Sequence, residues 1–217
     1  NPNQKLIPPK TTQNEIESLQ KEIQNDNEKN INSVLNHAIQ KSGPVHLNVP
    51  MEEPLYGMTT FPLDITQNTA PEFSSFQSDF KTFKKQWQKA DKKLILVGVN
   101  DPDILDQQWL DLIAADPSVI LMTETTSNLR SSDAIHSIDS LIAPLEKSNT
   151  DFFKTLQPQI LLTFGGMVVS KKIKKLLRDF SPKEHWHVDP YRAYDTYYCL
   201  TQHFPISVNP FFSELFE

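Results

Sequence analysis

The sequence of 217 residues contains little glycine, one cysteine and more acidic than basic side chains. Its five glycines do not occur at the spacing of a dinucleotide fingerprint or a P-loop, both of which need several glycines where backbone approaches phosphate. The single Cys199 excludes an internal disulfide and is consistent with a reducing compartment. The net charge of -6 argues against a general nucleic-acid-binding protein. The missing glycine pattern excludes an ordinary NAD or ATP site.

Long apolar segments are also missing. No run approaches the roughly 20 residues that a membrane span requires, and no signal peptide is visible. We therefore expect a cytoplasmic protein without a membrane span. The sequence starts at Asn1 rather than at methionine and ends with "FFSELFE", so we expect it to be a piece of a longer protein.

Strand-like and helix-like segments alternate in the second part of the chain. Continuous apolar runs are typical of strands that are buried on both faces of a parallel sheet. Such runs occur at 93–99, 118–124 and 159–164, with shorter candidates at 185–189 and 199–204. Since helical patterns separate these runs, the sequence predicts an α/β fold with an open parallel sheet and right-handed crossovers.

Two helices are predicted around the first of these strands. Aromatic residues at helical spacing mark one face of the helix that precedes it: Phe73, Phe76, Phe80, Phe83 and Trp87. After the strand, Asp101 is predicted to cap the next helix, with Pro102 at its favoured first position. The apolar stripe of that helix is predicted to consist of Leu105, Trp109, Leu112 and Ile113.

The first part of the chain has a different character. Residues 1–30 are polar and predict a loosely packed extension with one surface helix near Glu15 to Gln24. Apolar residues at helical spacing predict a second helix from Ile31, and alternation over 45–49 predicts a strand. We expect residues 1–50 to hold this extension and the tail of a preceding domain, residues 51–70 to form a linker, and residues 71–217 to form the central domain.

The stretch "FGGMVVSKK" is the main candidate for a binding site. It follows a predicted strand, and ligands of open parallel sheets collect beyond the carboxyl ends of the strands. Gly165 and Gly166 permit close backbone approach, and Ser170 can cap the next helix. Lys171 and Lys172 then fall in a first helical turn, which disfavours cations. With the free N–H groups they would form an anion pocket, although a surface accident is equally consistent with the pattern.

Other polar clusters carry less specific signals. Arg130 and Asn128, in "TTSNLRSSD", could face the same crevice, and an ordinary polar loop explains them equally well. His185, His187 and Asp189 share one strand face, a spacing that can serve zinc. No further His or Cys cluster accompanies them, so a strand end hydrogen-bonded into a loop is the favoured interpretation. Lys174, Lys175 and Arg178 are interpreted as the solvated face of their helix.

Four segments together resemble the MenD family, the thiamine-diphosphate-dependent synthases of menaquinone biosynthesis. They are "GPVHLNVPMEEPLYG", "TSNLR", "LLTFGGMVVSKKIKKLL" followed by "HWHVDP", and "DTYYCLTQHFPISVNPFFSEL". The resemblance covers roughly residues 31–217, in order. It implies the middle domain of such an enzyme, a three-layer, Rossmann-like (DHS-like) domain with a six-stranded parallel sheet that has lost dinucleotide binding.

The resemblance also implies what the whole enzyme does. Thiamine diphosphate and Mg²⁺ serve the decarboxylation of 2-oxoglutarate, and the succinyl unit is added to isochorismate, a dianion. By position, Lys171 and Lys172 match a basic pair that is usually Lys-Arg in the family and lies close to the substrate. Arg130 is a further candidate for substrate binding.

The family's activating glutamate lies in the first, pyrimidine-binding domain, and its "GDG" motif lies in the diphosphate-binding domain. Neither is present here, so the chain alone is expected to bind no cofactor and to be inactive. Its expected partners are those two domains of the same protein, in a homo-oligomer at full length. The alternatives are a stand-alone ligand-binding or regulatory module with an anion pocket, and an interaction domain whose basic helix docks an acidic partner.

Overall fold

A computed structural model describes residues 12–41, 43–49, 79–145 and 150–217. The chain divides into two compact units, one that extends to Glu72 and one that starts at Phe73. The predicted linker over 51–70 lies outside the described residues, as do Phe73 and Phe76.

The first unit contains one long helix. Helix α1 runs without interruption over Gln13–Lys41, so the prediction of two separate helices is wrong. The polar segment between them contains neither proline nor glycine, and its residues are tolerated in a helix interior at a small cost. None of the residues of α1 is buried.

The predicted strand over 45–49 is not formed. Residues 44–49 have no regular secondary structure, and Val45, Leu47 and Val49 are 39%, 41% and 57% exposed. A strand is stable only when a neighbouring strand pairs with its backbone groups, and the described residues of the first unit supply none. The alternation of apolar and polar residues over 45–49 is therefore not enough by itself to form a strand.

The second unit is built on a parallel sheet. Its strands are β1 (Lys93–Val97), β2 (Val119–Met122), β3 (Ile160–Phe164), β4 (Glu184–Val188) and β5 (Gln202–Phe204). Their order is β2-β1-β3-β4-β5, and every neighbouring pair is parallel. The predicted open, Rossmann-like parallel sheet is confirmed. The described residues contain five strands, whereas the resemblance implies six.

Helices cover both faces of the sheet. They are α2 (Phe80–Lys89), α3 (Gln107–Ala115), α4 (Ile138–Leu145), α5 (Thr150–Leu156), α6 (Lys171–Asp179) and α7 (Val208–Phe216). One core cluster joins α2, α3 and α7 to the sheet, and a second joins α4, α5 and α6. In β1, Ile95 and Val97 enter the first cluster while Leu94 and Leu96 enter the second. This burial on both faces explains the continuous apolar run.

The start of α3 differs from the prediction. The helix begins at Gln107 rather than at Pro102. Asp103 has a φ of 58°, in the left-handed region, so the chain turns before the helix can start. Leu112, which was assigned to the apolar stripe, is 46% exposed, and Leu110 is buried in its place.

A buried polar network ties β3 to β4. The Thr163 hydroxyl lies 2.9 Å from Nε2 of His185 and 2.8 Å from Nδ1 of His187. A hydroxyl carries one proton and can accept from two donors, so at most one ring accepts from Thr163 and at least one ring donates to it. The Trp186 carbonyl, at 3.4 Å, is a more distant acceptor. Nδ1 of His185 is buried without a partner. An orphaned buried N–H is rarer than an under-satisfied acceptor, so we assign the His185 proton to Nε2 and the Thr163 proton to the bond with His187.

The burial of His185 predicts a pH-dependent stability. Desolvation lowers the pKa of His185 from 6.5 to about 4, with His187 adding to the lowering and Asp195 opposing it. The unfolded chain therefore binds this proton more readily than the folded chain does. The contribution of His185 to the free energy of unfolding is complete above pH 6.5 and is lost as the pH falls towards about 4. His185→Gln should flatten this decline by up to about 1.4 kcal/mol per pH unit.

Urea unfolding of the chain at several pH values measures this slope. His46→Gln is the matched control, because His46 is exposed in the first unit. We expect the control to keep the slope of the parent chain. Equal slopes for His185→Gln and the parent would contradict the assignment.

Candidate functional site

The crevice at the centre of the carboxyl edge is closed by backbone. In an open parallel sheet, ligands bind where the strand order reverses, which here is between the ends of β1 and β3. At that position the Gly98 amide donates to the Phe164 carbonyl at 2.9 Å, and the Gly166 amide donates to the Val99 carbonyl at 2.7 Å. The two strand-end loops therefore satisfy each other where a ligand would otherwise enter.

Two glycines make this closure sterically possible. A Cβ atom on Gly98 would lie 2.0 Å from the carbonyl oxygen of Gly166, a distance that no side chain tolerates. Gly165 has a φ of 81°, and a Cβ atom there would lie 2.3 Å from the side-chain nitrogen Nδ2 of Asn100. The close backbone approach expected at Gly165 and Gly166 therefore exists, and it is made by the chain itself.

The N-terminus of α6 is occupied by an internal carboxylate. The predicted N-cap is confirmed, since the Ser170 hydroxyl accepts from the Ile173 amide at 3.2 Å. The Glu124 carboxylate accepts from the Val169 amide at 2.7 Å and from the Ser170 amide at 2.6 Å. The Ser170 hydroxyl also donates to the Asp139 carboxylate. Two acidic side chains thus meet at the position where an external anion was expected.

Glu124 was not identified from the sequence. It lies just beyond β2, in the segment "VILMTE", and therefore at the same edge of the sheet as the start of α6. Its amide donates to the Ser127 hydroxyl at 2.9 Å, and that hydroxyl donates to the Val97 carbonyl at 2.7 Å. The only available signal was an acidic residue at the end of the predicted strand over 118–124.

The two lysines lie in the first turn of α6, at the carboxyl edge. Lys171 is exposed and Lys172 is half-buried. The first turn itself contains no acidic residue. Glu124 and Asp139 supply the negative charge that this end of a helix favours, so the cost of placing cations there is offset locally.

The other cations of α6 differ in their contacts. Lys174 donates to the Val168 carbonyl at 3.0 Å. Arg178 donates to the Thr196 carbonyl at 3.0 and 2.8 Å. Lys175 forms an exposed ion pair at 2.7 Å with Asp179, one turn further along the helix. Two of the three residues interpreted as a solvated face therefore hold neighbouring loops.

A cavity of about 380 Å³ lies beyond the ends of β3 and β4. Its polar lining includes Thr163, His185, His187, Asp189 and Arg192. Gly165 and Gly166 also line it, whereas Lys171 and Lys172 do not. The Asp189 carboxylate already accepts from two loop amides, at 2.7 and 2.8 Å.

Arg130 lies in a different cavity. That cavity, of about 430 Å³, is formed by the loop after β1 and the loop after β2, and it is also lined by Asn128 and Asp103. The Asn128 side chain donates to the Asn100 carbonyl at 2.7 Å. The structure therefore does not bring Arg130 and the two lysines together in one cavity.

The described part of the chain contains neither a cluster of metal-binding side chains nor a helix that could span a membrane. There, no group of three or more His, Cys, Asp or Glu side chains is arranged to hold a metal ion. His185 and His187 instead share the hydroxyl of Thr163 on the neighbouring strand β3, whereas Asp189 accepts from two amides of the loop that follows β4. Among the described helices, none is both long and apolar enough to span a bilayer.

Comparison with known proteins gives close relatives in sequence. The chain is 45% identical over 193 residues to the 2-succinyl-5-enolpyruvyl-6-hydroxy-3-cyclohexene-1-carboxylate synthase of Christiangramia forsetii. The synthases of the same name from Flavobacterium johnsoniae and Flavobacterium psychrophilum are 42% and 40% identical. These matches cover 86–91% of the chain but only 33–36% of each relative, so the chain spans about a third of their length.

Other comparisons add little. No family model matches the chain. Among solved structures, an exopolyphosphatase-related protein from Bacteroides fragilis aligns with a TM-score of 0.36 and 14% identity over 57% of this chain and 38% of that one. A likeness at this level carries no argument about fold or function.

The close contact between Gly98 and Gly166 predicts that a single added methyl group lowers the stability of the fold. Gly98→Ala forces a methyl group against the Gly166 carbonyl, a backbone atom that cannot rotate away. We expect a loss of about 2 kcal/mol or more in the free energy of unfolding, measured with urea. Gly43→Ala is the matched control, because its Cβ would meet only the Lys41 carbonyl at an ordinary 3.6 Å. Equal stability of the two variants would show that the loops separate readily.

Proposed function

We propose that this chain, which is related to the MenD family over about a third of the length of its members, is the central part of such a synthase. The complete enzyme would decarboxylate 2-oxoglutarate and add the succinyl unit to isochorismate. The observation that carries the proposal is the 45% identity over 193 residues to a named synthase. The confirmed parallel sheet is compatible with it.

Thiamine diphosphate with Mg²⁺ supplies the carbanion chemistry in the reaction proposed for the complete enzyme. The described residues do not fit these groups. The amides before α6 are engaged by Glu124, the crevice between β1 and β3 is closed, and this part of the chain has no metal-binding group. We therefore propose that the pyrimidine-binding and diphosphate-binding domains hold the cofactor, and that the isolated chain is inactive. A cytoplasmic location and a homo-oligomeric enzyme remain predictions.

In this proposal, the chain contributes positively charged side chains at the carboxyl edge of the sheet. Isochorismate carries two carboxylates, which require cationic or N–H donors. Lys171 is exposed at the start of α6, where it can reach outward. Lys172 is half-buried and lacks the planar fork of the arginine that is common in the family, so we assign the main contact to Lys171.

The alternative of a stand-alone anion-binding module is less well supported. Such a module would use the amides at the start of α6, and the Glu124 carboxylate already accepts from both. An external anion would have to displace a bidentate internal one. The lysine side chains are a more accessible contact than the backbone pocket.

Reconstitution tests the proposed function. The full-length protein should form product from 2-oxoglutarate and isochorismate when thiamine diphosphate and Mg²⁺ are added. The 217-residue chain alone should show no heat of binding with the cofactor and Mg²⁺ in calorimetry. Saturable binding to the chain would contradict the proposed location of the cofactor, and an inactive full-length protein would contradict the function.

The role of Lys171 predicts a substrate-selective defect. In the full-length enzyme, Lys171→Ala removes a charge-assisted contact worth about 1.5–3 kcal/mol, or roughly ten- to a hundred-fold in kcat/KM for isochorismate. The kcat/KM for 2-oxoglutarate should change much less. Lys172→Arg should be tolerated, because it restores the residue that is common in the family. Steady-state kinetics with each substrate varied in turn measure these effects.

Lys175→Ala is the matched control on the same helix. The side chains of Lys175 and Asp179 are 72% and 49% exposed, so their ion pair contributes little. Equal losses in Lys171→Ala and Lys175→Ala would mean that α6 acts only through diffuse positive charge, and the assignment of Lys171 would be wrong.

A further inference from the structure

We propose that Glu124 is a positioning residue: its carboxylate fixes the start of α6 and so determines where Lys171 and Lys172 lie at the edge of the sheet. The inference rests on the proposed function of the lysines. Neither the resemblance nor the sequence pattern singled out this glutamate.

The geometry of the contact is bidentate. One carboxylate oxygen accepts from the Val169 amide at 2.7 Å, and the other accepts from the Ser170 amide at 2.6 Å. These two residues immediately precede Lys171 in the chain. The contact fixes two consecutive peptide groups, so it limits both the translation and the rotation of the first turn of α6.

Glu124 is itself anchored to the centre of the sheet. Its amide donates to the hydroxyl of Ser127, which is fully buried and donates in turn to the Val97 carbonyl at the end of β1. A continuous set of hydrogen bonds therefore leads from β1 through the loop after β2 to the start of α6. These hydrogen bonds, together with the loop over 165–168, therefore fix where the two lysines lie relative to the sheet.

The charge of Glu124 matters as well as its shape. Gln has the same length, but its NH₂ group would face one of the two amides and could not accept from it. Glu124→Gln therefore keeps the volume, removes one of the two bonds and leaves the other without charge assistance. Val169 is 55% exposed and Ser170 is 6% exposed, so the Gln oxygen should stay on the buried Ser170 amide while water replaces the partner of the Val169 amide, and the fold should survive. The Ser170 cap on Ile173 is unaffected.

Amide hydrogen exchange of the chain, followed by NMR, tests the structural part. We expect the Val169 or Ser170 amide to exchange about ten-fold faster in Glu124→Gln. The Leu162 amide in the centre of β3 should keep its parent rate, which reports that the fold is intact. Glu214→Gln is the matched control, because Glu214 is exposed on α7. Unchanged exchange at both Val169 and Ser170 would overturn the proposal.

Kinetics of the full-length enzyme separate positioning from a merely structural role. Glu124→Gln should raise KM for isochorismate about ten-fold while kcat stays within two-fold, and KM for 2-oxoglutarate should not change. The double variant Glu124→Gln/Lys171→Ala should be no worse than Lys171→Ala alone, since the glutamate acts through the lysine. Additive losses would overturn the positioning role.

The failures of the two proposals are distinguishable. If Lys171→Ala impairs isochorismate use but Glu124→Gln does not, the role of the lysine holds and the positioning role of Glu124 is wrong. If Lys171→Ala has no effect, the proposed contact to substrate fails, and the inference about Glu124 fails with it. Product formation by the full-length parent tests the proposed function independently of both.

Discussion

The carboxyl edge of the sheet depends on the contact between the backbones of Gly98 and Gly166. Strands β1 and β3 are neighbours, and the loops that leave them would diverge if Gly98 carried a side chain at the point of contact. Their amides and carbonyls instead pair across the gap. This pairing brings the start of α6 over the end of β1, within reach of the loop that follows β2.

Once the crevice is closed, the start of α6 needs an anion of its own. The first amides of a helix have no intrahelical acceptor and carry partial positive charge. In nucleotide-binding sheets a phosphate binds at this position. Here Glu124, from the adjacent loop, accepts from the two amides that immediately precede α6, and the Ser170 hydroxyl accepts from the Ile173 amide. The Glu124 carboxylate belongs to the chain, so it cannot leave the site as a bound phosphate can. This arrangement explains how a Rossmann-like sheet can lack the glycine fingerprint and still place a negative charge at the start of this helix.

The sequence was informative where a local pattern and its environment agree. The run "KLILV" is apolar because both faces of β1 are covered, and Ser170 caps α6 through a bond three residues away. The sequence misled where the environment decides. The strand predicted over 45–49 lacks a pairing partner among the described residues, and the left-handed φ of Asp103 delays α3. Glu124 acts on residues 45 and 46 positions away, a contact that no local pattern encodes.

The buried histidines constrain which side chains can bring positive charge to this edge. Desolvation lowers the pKa of both His185 and His187, so the two rings are neutral near pH 7. The cavity that they line therefore gains no cation from them, and Asp189 and Arg192 in the same lining have opposite charges. Outside that cavity, Lys171 is exposed in the first turn of α6. The neutral network around Thr163 links β3 to β4, and in the proposed function the positive charge offered to an anionic substrate lies on the helix that follows β3.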